Sequence, residues 1–168
     1  MRARRKSEAG KSFIEFALVG IPLVLLMVSL VEMCLAMWTY DTLAFAVREG
    51  ARYAAMKGQG CSYSGNSCGV TVGNIAQKIA TVGVGLAPGA LNITLTSASG
   101  SITCNPVNSC YSNSTAFPPS SANLENTMSD PITVTGYYPE TIVFMPLAGV
   151  VKIQSGNLKA SSQQLIQF

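Results

Sequence analysis

The sequence predicts an α+β protein. A long N-terminal helix, membrane-spanning in its first half and amphipathic in its second, precedes a small extracytoplasmic domain of one helix on about three antiparallel strands. Three observations carry this expectation. Residues 16–31, FALVGIPLVLLMVSLV, hold no charge. Leu43, Val47, Ala51 and Ala54 then recur at spacings of four, four and three, one apolar stripe on a helix. From residue 58 onward the chain turns to Ser, Thr, Asn and Gly with short apolar alternations.

The first helix is justified by length and flanks. Sixteen uncharged residues span about 24 Å of helix, slightly short of a hydrocarbon core of about 30 Å. Beyond Glu32 the chain is again uncharged up to Asp41, and Trp38 and Tyr40 suit the far interface. Pro22 lies inside the run and should kink or loosen it, because it lacks an N–H and crowds the preceding turn. Gly58 and Gly60 end the helical pattern. Arg2, Arg4, Arg5 and Lys6 against Glu8 account for the whole net charge of +3, so the positive charge is an end feature. Placed before an apolar run, it reads as a topology signal: N-terminus cytoplasmic, the remainder outside. It does not read as a nucleic-acid surface.

The outer part follows in order. Ile75, Ile79 and Val82 in GNIAQKIATVGVGL, 73–86, give a short second helix stopped by Pro88-Gly89. LNITLTSAS alternates Leu91, Ile93 and Leu95 with polar residues, a half-buried strand. PITVTGYYP repeats the alternation, and 150–163 forms a third, weaker strand. The strands are expected to meander. The 27 residues from Asn105 to Pro131 read as a long polar loop around a Phe117-Pro118-Pro119 knot, functional or mobile by its length.

Five cysteines divide by position. Cys34 lies in the apolar span and reads as packing. Cys61, Cys68, Cys104 and Cys110 lie outside, where three pairings are open to four thiols. Short loops close most readily, which favours Cys61–Cys68 and Cys104–Cys110. A zinc site is the rival, but its ligand pairs stand two to four residues apart and these are spaced more widely. No metal and no cofactor are expected.

Glu15 is the odd residue of the span, since a lone carboxylate in lipid is costly. Two readings stand. At headgroup depth it needs no partner. Alternatively, a cut between Gly10 and Lys11 removes the basic leader and makes Glu15 the fifth residue, one turn from a new α-amine. Gly10, four residues, then Glu15-Phe16 and an aliphatic run resembles the processing motif of type IV pilins and pseudopilins. The longer pattern, GKSFIEFALVGIPLVLLMVSLVEM followed by TLAFAVREGARYAA, resembles the TadE-like family of tight-adherence (Tad) pilus assembly proteins. That resemblance covers residues 10 to about 57 and implies a small bitopic protein. Its division would be a basic leader at 1–10, a transmembrane assembly helix at 11–57 and an outer domain at 58–168. It further implies processing by a prepilin peptidase at Gly10–Lys11, with Lys11, Glu15 and Phe16 entering assembly. Lys11 departs from the small or apolar residue usual after such a cut. Arg48, Glu49, Arg52 and Tyr53 would form a docking face, against the plainer reading of a solvated helix end.

Without histidine, and without a nucleophile motif or phosphate loop, the chain offers no catalytic constellation. The leading expectation is a minor pilin-like (pseudopilin) protein of the inner membrane, acting in pilus biogenesis and adhesion. Its partners would be a prepilin peptidase, other pilin-like subunits, inner-membrane pilus assembly proteins and the lipid bilayer, with no nucleic acid. The alternative is an uncleaved single-pass inner-membrane anchor whose outer domain binds an envelope partner. A third class is a secreted adhesive domain, released by a cut after Ala46.

Overall fold

The computed structural model describes residues 5–58, 69–118, 131–144 and 151–166. Helix α1 runs Arg5–Lys57 and α2 runs Val72–Val82. Four strands follow: β1 Asn92–Ser97, β2 Gly100–Cys104, β3 Pro131–Phe144 and β4 Val151–Leu165. A 3₁₀ turn occupies Val107–Cys110 between β2 and β3. The α+β class and the single long apolar helix agree with the sequence. The backbone forms two compact units, one holding α1 up to Ala36 with Thr141–Ser155, the other Met37–Glu140 with Gly156–Phe168.

The second unit holds the domain core. Its sheet is ordered β2-β1-β3-β4, so β1 lies between β2 and β3. This corrects the expected meander of about three strands: β1 and β2 form a hairpin, and the chain then crosses to the other side of β1 before β3 begins. β2 escaped the sequence reading because GSITC is an edge strand in which only Cys104 is buried. Registers pair Leu95 with Ile102 and Val134, and Ile93 with Cys104 and Gly136. Ile93, Leu95, Ile132 and Val134 share the buried face. The opposite face carries Thr94, whose hydroxyl meets that of Thr103 at 3.4 Å, and Thr135, which meets Ser161 at 3.1 Å. This is the ordinary division of an antiparallel sheet with one wet face.

Two glycines let α1 reach its neighbours. A Cβ at Gly50 would overlap the Ile79 side chain of α2. A Cβ at Gly136 would stand 2.7 Å from Val47 Cγ2 and 3.0 Å from Leu43 Cδ1. The helix is thus seated on α2 at one glycine and on β3 at the other. Leu43, Ala46, Val47, Ala51, Ala54 and Ala55 are buried there. The predicted stripe is the core face of the helix.

α2 ends at Val82, earlier than the Pro88-Gly89 stop expected of it. The Gly83 N–H closes the last turn on Ile79 O, and Gly85 at φ +91° continues the turn. At its other end every amide of the first turn has an acceptor. Val72 N donates to Thr115 O at 2.9 Å and Gly73 N to Asn113 O at 3.0 Å. Asn74 N donates to Thr71 Oγ1, and Ile75 N to Thr71 O.

The acceptors Thr115 and Asn113 come from the stretch read as a featureless loop. Residues 105–118 are instead built into the domain. Phe117 is buried and its N–H donates to Val70 O at 3.0 Å. Val107 N donates to Leu91 O. The Cys104–Cys110 disulfide, with Cα atoms 5.7 Å apart, ties β2 to the 3₁₀ turn as the short-loop argument expected. Cys61 and Cys68 lie outside the described residues, as do 119–130.

Gly73 is fixed by this cap, since a Cβ there would stand 2.6 Å from Tyr111 O and 3.0 Å from Asn113 O. G73A is expected to lower stability by about 1–3 kcal/mol through forced overpacking, read by thermal unfolding of the detergent-solubilised protein. Removing the disulfide as C104S/C110S should cost about 2 kcal/mol from loop closure alone. Hydrogen exchange should then rise at the amides of Val72 and Gly73, which depend on the segment it secures.

Candidate assembly site on the first helix

Every residue singled out for processing and docking lies on α1. Between Phe13 and Met37 the helix exposes its large apolar side chains on all sides, Phe16, Leu18, Val19, Leu26, Leu30 and Met33 among them. Among the described residues, α1 is the one helix long and apolar enough to cross a membrane. A helix apolar all round needs an apolar medium or apolar neighbours.

Two hydroxyls in and just beyond this stretch bond to the helix itself. Ser29 Oγ donates to Leu25 O at 2.9 Å and Thr42 Oγ1 to Trp38 O at 2.8 Å, so neither hydroxyl is left bare. α1 continues through Pro22, whose missing N–H leaves Leu18 O without its usual donor. Cys34 is an exposed free thiol in the same stretch. Glu15 is exposed and Glu32 partly covered, 17 residues and roughly 25 Å apart along the axis.

The Gly10–Lys11 bond lies inside α1, which begins at Arg5. Lys11 and Glu15 are therefore four residues apart in continuous helix. Their backbones are separated by about 6 Å of rise, on one face. Any amine carried at the start of a chain beginning with Lys11 sits within one turn of the Glu15 carboxylate.

Farther along, the four docking residues separate. Arg48 and Arg52 are exposed, whereas Glu49 and Tyr53 are partly buried. Tyr53 packs against the core, and Lys57 Nζ lies 5.7 Å from its ring centroid. The face that stands in solvent is instead Asp41, Phe45, Arg48, Arg52 and Met56, with Phe45 53% and Met56 43% exposed. Phe45 and Met56 were missed by the sequence reading. Their steps of four, three, four and four from Asp41 were the available signal.

The family model described as TadE-like protein matches residues 10–52. That segment resembles the TadE-like family. The match begins at the glycine of the candidate processing site and covers about a quarter of the chain. A search of curated proteins and of solved structures finds no match for this chain. The TadE-like segment therefore joins two environments. Its first part is the exposed apolar helix, and its end, from Leu43 to Arg52, supplies core residues around Gly50.

The two faces at that end should answer differently to charge. R48E/R52E is expected to fold with stability within about 1 kcal/mol of the parent. A51E, placing a carboxylate in the core, should cost at least about 3 kcal/mol. Thermal unfolding of both variants checks this, and equal losses would mean the assignment of faces is wrong.

Proposed function

We propose that this protein is a minor pilin-like subunit of a Tad-type pilus, acting in pilus assembly and adhesion. The role is structural, with no catalysis assigned to it. The observation that carries the reading is the TadE-like match over residues 10–52, on a helix apolar enough to cross a membrane. In this reading α1 holds the chain in the inner membrane, with the basic end cytoplasmic and the sheet domain outside. A prepilin peptidase cuts between Gly10 and Lys11. The new Lys11 α-amine and Glu15 then neutralise each other within a turn or between neighbouring subunits, so the carboxylate becomes a registration device in the apolar helix. Arg48 and Arg52 meet other pilin-like subunits or membrane assembly proteins, and the outer domain contacts surfaces.

A second reading is an uncleaved anchor whose outer domain binds an envelope partner. It draws on the Gly10–Lys11 bond lying inside a helix, which must open locally before a peptidase can reach it. Intact mass of the membrane-extracted protein separates the two. A chain lacking residues 1–10 is expected, and the full-length chain would establish the anchor. G10V should leave the leader attached; mature protein from that variant would rule out the proposed site. In cells, R48E/R52E should reduce piliation at unchanged protein level. Normal piliation would remove the docking role.

A further inference from the structure

On the solvent side of α1, Trp38, Asp41, Phe45, Arg48 and Arg52 follow one another at steps of three, four, three and four. At 100° per residue they fall within about 80° of the helix circumference. Leu43, Gly50 and Ala54, which pack into the domain, point the other way. All five residues of the stripe are exposed, Trp38 by 66%. Steps that alternate between three and four are the spacing of a seam along which one helix lies on another. From Trp38 to Arg52 the stripe is about 21 Å long.

Asp41, Arg48 and Arg52 have no ion-pair partner among the described residues. A partner that complements the stripe must therefore answer both signs of charge and cover two aromatic rings. A uniformly acidic surface meets the guanidiniums but opposes Asp41, and an anionic lipid surface has the same fault.

The stripe is its own complement when displaced along the axis. Its residues recur in sevens, with Trp38, Phe45 and Arg52 in one series and Asp41 and Arg48 in the other. Seven residues advance a helix by about 10 Å and return it to within about 20° of the same side. Two parallel copies offset by that step set Asp41 against Arg48, Trp38 against Phe45 and Phe45 against Arg52. These pairs are an ion pair, an aromatic pair and a cation–π contact. In each copy the described core lies on the far side of the helix.

Other arrangements match less well. In register, Arg48 meets Arg48 and Arg52 meets Arg52, so like charges oppose. An offset of eleven residues keeps an ion pair, Asp41 on Arg52, but sets Arg48 against Met37. An antiparallel pair also brings Asp41 to Arg52, but chains that cross one membrane in the same sense run parallel.

We propose that this stripe is a seam for a second copy of the same chain, parallel and offset by seven residues, with Asp41 of one copy paired to Arg48 of the other. The inference rests on the assembly reading and names the partner of its basic face. The contact is heterologous, since each copy uses a different end of the stripe. Copies at equal depth in a membrane therefore repel across Arg48 and Arg52. They attract once one copy has advanced by about 10 Å.

The test uses the full chain in detergent. In Arg48→Lys, a water-soluble carbodiimide should join residue 48 to Asp41, located by peptide mass spectrometry. With ¹⁵N-labelled and unlabelled chains mixed, the link should form between chains. Self-association, followed by analytical ultracentrifugation, should weaken about threefold to tenfold in D41K and recover in D41K/R48E. Thermal unfolding of D41K should match the parent, because residue 41 is exposed. A link confined to single chains, or no link at all, would overturn the proposal. So would a failure of D41K/R48E to recover, or a link to Asp41 that forms from Arg52→Lys in place of Arg48→Lys. Normal piliation in R48E/R52E would remove the assembly role and leave the link between detergent-solubilised chains standing. Lost piliation in R48E/R52E without a link would remove only the second copy as the partner.

Discussion

The close approach of α1 to its two neighbours governs the outer domain. At Gly50 the helix backbone comes near enough to Ile79 that a single methyl group has no room. At Gly136 the sheet backbone reaches Val47 and Leu43 in the same way. Around these contacts the buried face of the helix offers alanine at 46, 51, 54 and 55, so the packing is tight because the side chains are small. Close packing of this kind tolerates added volume poorly, since interiors are already near crystal density. α2 and β3 hold their places because the helix surface between them is narrow.

The second constraint is the backbone of α2. Its four first-turn amides are satisfied by two unrelated sources, the Thr71 cap and the carbonyls of Asn113 and Thr115. A stretch 40 residues later in the chain thereby becomes part of the helix start. The Cys104–Cys110 bond fixes that stretch to the end of β2. Polar composition misleads here, because the carbonyls that cap α2 belong to Asn113 and Thr115, whose side chains look like loop residues.

Much of this was legible in the residues themselves. The stripe Leu43, Val47, Ala51, Ala54 marked the core face, and Ile93 and Leu95 marked the buried side of β1. Ile75 and Ile79 marked α2. What could not be read was non-local. The order β2-β1-β3-β4 depends on which strand edges meet, and no periodicity in GSITC announces an edge strand. The true end of α2 depends on Gly83 closing on Ile79, while Pro88-Gly89 was the louder signal. Of the candidate site, Arg48 and Arg52 were found by their charge and do stand exposed. Glu49 and Tyr53 were grouped with them by adjacency in sequence, but one residue of helix is 100° of rotation and carries them to the domain's flank.

Gly50 stands two residues inside the end of the TadE-like match, among the bases that invite a functional explanation. Its environment is the Ile79 side chain. A family signature that ends in a domain core records what the chain needs in order to fold as much as what it needs in order to act. Genetic screens over this motif therefore confound abundance with activity. A substitution at Gly50 or Ala51 strikes the packed core and lowers the amount of folded protein, whereas one at exposed Arg48 leaves that core intact.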